Sequence, residues 1–127
     1  MIIYIFGNDL LDFDNTPLKL APMLKKEFPK IDFVIMDPNE NIHPVNKELI
    51  IIDTIMDIDN VIIFEDLNKI QLNKTLTMHD FDLGFNLKLL QKLGQLEKVT
   101  IFGVPPNIKK QQALEQLIVL IKQKFSV

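Results

Sequence analysis

Short runs of apolar, mostly β-branched residues alternate along this chain with longer stretches in which apolar positions recur every three or four residues. The short runs, 2–6, 33–36, 49–52, 61–64 and 99–104, predict five strands. Their nearly continuous apolarity predicts burial on both faces, as in a sheet covered by helices. Thr16 followed by Pro17 predicts a helix start, a hydroxyl cap with proline at the first helical position, after which Leu20, Leu24 and Phe28 share one face. Pro22 removes a backbone donor inside that helix and predicts either a kink or a later start. Asp82 is the predicted cap of a second helix, in which Leu83, Leu87 and Leu90 fall on one face and Gly94 is the stop signal. Asn107 is the predicted cap of the last helix, with Leu114, Leu117, Ile118 and Ile121 as its buried stripe.

The resulting order is strand, helix, strand, strand, strand, helix, strand, helix, which predicts a layered α/β domain on a mostly parallel sheet. The connection DPNENIHPVNKE after the second strand is short for a parallel crossover and has two prolines, leaving room for a single helical turn at most. The turn TIMDIDN after Asp53 is short enough for the next strand to run antiparallel to its predecessor.

Composition narrows the chemistry. With 127 residues, 47% of them hydrophobic, and no repeat or low-complexity stretch, the expectation is one globular domain over 1–127. The absence of cysteine excludes disulfides, thiolate metal sites and a cysteine nucleophile. The only serine is Ser126, and no H-E-x-x-H or G-x-S-x-G pattern is present. The net charge is −3 and every basic residue is a lysine, so the bidentate clamp for phosphate and guanine edges is missing and no nucleic-acid partner is expected. The apolar N-terminus lacks a basic flank and is cut short by Asn8-Asp9, which reads as a first strand of a cytoplasmic protein with no membrane partner.

Acidic residues gather where strands end. The first strand leads into Asp9, Asp12 and Asp14, the second ends at Asp37, the third at Asp53 and the fourth at Glu65-Asp66. In open α/β sheets ligands bind outside the carboxyl ends of the strands. A rim of carboxylates repels phosphate and attracts a cation. Asp14 and Asp53 with His79, which precedes the second helix, would give two carboxylates and one imidazole with open positions, a set suited to a divalent transition metal rather than calcium. The plainer alternative for each stands beside this: an aspartate after a strand is often only a turn or helix cap, and a lone histidine often a surface loop residue.

In these residues the chain resembles the nickel-iron hydrogenase maturation proteases, endopeptidases that trim the C-terminus of the hydrogenase large-subunit precursor. The family's opening strand followed by G-N-x-L-L-x-D-(D/E)-G-x-G is similar to GNDLLDFDNTP, with Gly7, Asn8, Leu10, Leu11 and Asp14 matching. Its L-I-x-x-D-A strand resembles LIIIDT, its T-x-H-x-x-G-L segment resembles TMHDFDL, and its G-I-x-P strand end resembles FGVPP at Gly103, Val104 and Pro105. Phe13 stands where the family has an acid, Asn15 and Pro17 where it has glycines, and Asp37 matches the aspartate of D-G-G-T, with Pro38 and Asn39 in the glycine places.

The resemblance implies a three-layer α/β fold of the phosphorylase/hydrolase-like kind. It implies nickel, delivered with the substrate or exchangeable for another divalent metal, held by Asp14, Asp53 and His79. Asp37 is then the candidate catalytic residue, as base or as peptide-orienting group, and the partner is the C-terminal tail of a hydrogenase large-subunit precursor. Two other readings remain: a non-catalytic metal- or peptide-binding relative of that family, and a receiver-like phosphoacceptor domain with Asp53 at the end of its third strand and Lys109 reaching back from the last helix.

Overall fold

The fold is taken from a computed structural model, which describes residues 1–7, 15–36, 42–65 and 80–127, and of residues 80–85 the backbone alone. In chain order the elements are β1 (Ile2–Phe6), α1 (Thr16–Glu27), β2 (Asp32–Met36), β3 (Glu48–Thr54), β4 (Ile62–Phe64), α2 (Asp80–Lys92), β5 (Lys98–Val104) and α3 (Lys110–Phe125). The strands form one sheet of order β2-β1-β3-β5-β4. β1 is parallel to β2 and β3, β3 is parallel to β5, and β4 alone is antiparallel, along β5. The turn after Asp53 thus does reverse the next strand, but β5 inserts between β3 and β4.

Alternation along the strands divides the core in two. Ile3, Ile5, Ile50, Ile52, Phe102 and Val104 face one side, where Leu20 and Leu24 of α1 and Ala113, Leu117 and Ile121 of α3 cover them. Phe6, Leu49, Ile51, Val99 and Ile101 face the other, where Leu87 of α2 joins them. Fully burying one such side chain contributes about 1.5–3 kcal/mol. Helices on both faces of a mostly parallel sheet make the three-layer α/β fold that the pattern predicts. Among the described residues, no helix is long and apolar enough to cross a membrane.

Helix starts depart from prediction. Thr16 is not a cap: the Asn15 carbonyl accepts the Lys19 N–H at 3.1 Å, so Asn15 takes the cap position, without a side-chain hydrogen bond, and Thr16 and Pro17 open α1. Nor does Pro22 delay the start, since α1 runs through it to Glu27 with Pro22 on the exposed face, where water can serve the carbonyl left unpaired. α2 begins at Asp80, which puts Asp82 inside the helix. Asn107 lies in a turn before α3, and Lys109 takes the cap position, its carbonyl accepting from Ala113 N–H at 2.9 Å. Gly94 does end α2, with φ +73° and its N–H donated to Gln91.

The described part of the connection before β3 holds a tight hairpin instead of a helical turn. Val45 and Glu48 exchange backbone hydrogen bonds at 3.2 and 3.0 Å around Asn46 and Lys47, whose φ values are +54° and +61°. Positive φ at both central positions is the pattern of the type I′ turn. The Lys47 carbonyl also accepts from Glu97 and Lys98 N–H, so this turn anchors the amino ends of β3 and β5 together.

Candidate functional site

β3 is the central strand, flanked by β1 and β5, and Asp53 lies one residue before its carboxyl end. Position 53 follows Leu49 and Ile51 in the alternation, so its side chain belongs to the α2 face, while Thr54 turns to the face of α1 and α3. The carboxylate is 2% exposed. Its Oδ1 accepts the Thr54 backbone N–H at 2.8 Å, a buried bond that fixes the plane of the group against its own strand. A carboxylate so buried is costly unless it is hydrogen-bonded, paired or bound to a metal.

Apolar residues surround the position within the sheet. Ile5 pairs with Ile52, which sets Phe6, fully buried, at the level of Asp53 on the β1 side. Asp53 pairs with Gly103 on the β5 side, and Gly103 pairs in turn with Ile62 of β4. Ile55, 1% exposed, donates its N–H to the Val104 carbonyl at 3.0 Å and so extends β3 along β5 beyond Thr54. Asp53 thus sits at the carboxyl edge of the sheet with apolar neighbours on both adjoining strands.

At that same edge a groove of about 630 Å³ runs between the turn after β3 and the loop after β5, lined by Met56, Asp57, Asp59, Pro105, Asn107 and Lys109 among others. Asp57 and Asp59 were not singled out as site residues by their sequence pattern. They lie in the turn beyond β3, where Asp57 adopts φ +63°.

Of the four predicted site residues, Asp53 is described, and it stands where the sequence puts it. Asp14, His79 and Asp37 lie outside the described residues, as does the Asp66 of the fourth strand end. Among the described residues no group of three or more His, Asp or Glu could hold a metal ion. Asp53 fits a divalent cation in kind, as a hard oxygen donor, and in place, at the carboxyl edge of a parallel sheet.

No family model, curated protein or solved structure matches the chain.

Proposed function

We propose that this protein is a nickel-dependent endopeptidase of the hydrogenase-maturation type, acting in the cytoplasm on the C-terminal extension of a nickel-iron hydrogenase large-subunit precursor. The observation that supports it most is the buried Asp53 carboxylate, 2% exposed at the carboxyl end of the central strand. The resemblance in motif order, from GNDLLDFD through LIIIDT and TMHDFDL to FGVPP, supplies the rest.

In this reading Asp14, Asp53 and His79 hold the ion. The Thr54 N–H holds one oxygen of Asp53, so the carboxylate keeps one orientation relative to the sheet. Two carboxylates balance the charge of a dication, and three protein donors leave positions for water and for the precursor's own ligands. When bound by these residues, nickel would supply a Lewis acid for the scissile carbonyl and for water. Asp37, which follows β2 in the sequence, would orient the peptide or accept a proton from water. The extended tail is proposed to lie along the groove between residues 56–59 and 105–109, at the same edge of the sheet.

The receiver-like reading has less support. Doubly wound domains of the flavodoxin-like kind have parallel strands in the order 2-1-3-4-5, whereas here β4 is reversed and outermost.

The test is incubation with candidate large-subunit precursor, with and without nickel, followed by mass spectrometry of the C-terminus. Nickel-dependent loss of the tail is expected, and its abolition in Asp14→Ala, Asp53→Asn and His79→Ala. Nickel binding without cleavage would point to the binding-only relative. Cleavage unchanged in all three variants would sink the metal site.

A further inference from the structure

Gly103 is the register partner of Asp53, and its lack of a side chain is used. A Cβ built at Gly103 would lie 2.5 Å from Ile55 Cγ1 and 3.2 Å from Ile55 Cβ, with Ile62 Cγ1 at 3.4 Å. The space beside Asp53 where a side chain of β5 would stand is therefore filled by Ile55, two residues further along the same strand as Asp53. Residues two apart in a strand share a face, so Asp53 and Ile55 project to the same side, and Ile55 leans back over Gly103 into the row that runs from Asp53 to Ile62.

Across the sheet that row reads Phe6, Asp53, Gly103 beneath Ile55, and Ile62. Below Asp53 on its own strand and face is Ile51, fully buried. The carboxylate is thus walled by aromatic or aliphatic side chains toward β1, toward β4 and toward the amino end of β3. Any side chain at 103 larger than hydrogen would push Ile55 out of this place, because its Cβ would overlap Ile55 Cγ1 and crowd Ile55 Cβ.

We infer that Gly103 and Ile55 are positioning residues for Asp53: the bare backbone at 103 lets Ile55 close the β4 side of the carboxylate and so limits where it can turn within the sheet. This rests on the metal-site reading for its purpose, though not for its geometry. The side chain that a metal or a substrate would meet is aimed by a glycine and an isoleucine that touch neither.

Four proteins test it: the wild type, Gly103→Ala, Ile55→Ala and the pair Gly103→Ala/Ile55→Ala. The first measurement is the 13C carboxyl resonance of Asp53 at fixed pH, assigned by its loss in Asp53→Asn; the second is nickel titration. Gly103→Ala is expected to move the resonance and to weaken nickel binding by about tenfold, the scale on which residues behind a ligand act. In the paired variant the methyl introduced by Gly103→Ala takes up the space of Ile55 Cγ1 beside Asp53, so the resonance is expected to return to its wild-type position and the affinity to within about threefold, although its melting temperature stays low because a buried aliphatic group is missing. Should Gly103→Ala not fold, recovery of a folded protein with the wild-type Asp53 signal in the pair carries the same weight. A resonance unmoved by Gly103→Ala, or not restored in the pair, overturns the inference. Absence of nickel binding by the wild type counts against the metal reading alone, and the resonance comparison still decides the positioning role.

Discussion

Asp53 and Gly103 stand opposite each other in the parallel register of β3 and β5, so a buried carboxylate has as its lateral neighbour the one residue type without a side chain. Asp53→Asn keeps the shape of the group and an oxygen that can still accept the Thr54 N–H. The expected outcome is a folded protein whose stability changes by about 1 kcal/mol or less. If the protein is the nickel endopeptidase proposed above, its cleavage is expected to fall more than about a hundredfold, since the proposed ligand itself, rather than a residue behind one, has been removed. Urea denaturation and the precursor assay, run on the same preparation, check both halves.

Pro22 lies in the interior of α1 on its exposed face. Proline costs about 3 kcal/mol relative to alanine inside a helix, and its restriction of the unfolded chain returns up to about 1 kcal/mol. Pro22→Ala is therefore expected to stabilise the protein by about 2 kcal/mol. A higher urea midpoint with an unchanged slope is the expected result.

Lys47 has φ +61° in the hairpin before β3, a conformation that glycine adopts without strain. Lys47→Gly keeps the carbonyl that accepts from Glu97 and Lys98. It removes only a 3.6 Å ion pair to Glu97 between two mostly exposed side chains, an interaction worth little in water. A gain of about 0.5–1 kcal/mol is expected, read as a rise in melting temperature that persists in high salt.

Gln116 on α3 accepts the Val61 N–H at 2.8 Å through Oε1 and donates from Nε2 to Asn60 Oδ1 at 3.0 Å. It thereby fastens the entry of β4, a strand of three residues, to the helix layer. Gln116→Ala leaves a buried main-chain donor without this acceptor and is expected to cost about 1–3 kcal/mol. Gln116→Glu keeps the acceptor and should cost less. Amide exchange at Val61 should rise in the alanine variant well before exchange in β3 does.

The strands were legible because nearly every one is an uninterrupted apolar run. β1 matches its predicted bounds, and the others extend or shorten by one or two residues at polar ends such as Glu48 and Lys98. The helix caps were less so. Thr16, Asp82 and Asn107 all have side chains able to cap, but a cap depends on where the first backbone bond closes, and this falls at Asn15 for α1 and at Lys109 for α3. The reversal of β4 could be read from the short turn after Asp53, whereas the insertion of β5 between β3 and β4 could not, because it depends on pairing across distant sequence. An aspartate ending an apolar strand placed Asp53 at the carboxyl end of β3, where the structure has it. The part played by Gly103 needed the register, since nothing in the sequence alone says which residue faces position 53.

The order of the sheet also sets an order of events during synthesis. β4 leaves the ribosome before β5, yet β5 is its only neighbour among the described strands. Until β5 has been made and has zipped along β3, the Ile62–Phe64 strand has no edge to join, and its apolar side chains wait in solvent or against transient partners. The nascent chain can assemble β1, β2 and α1 early, but the half of the sheet beyond Asp53 closes only from its far end backwards.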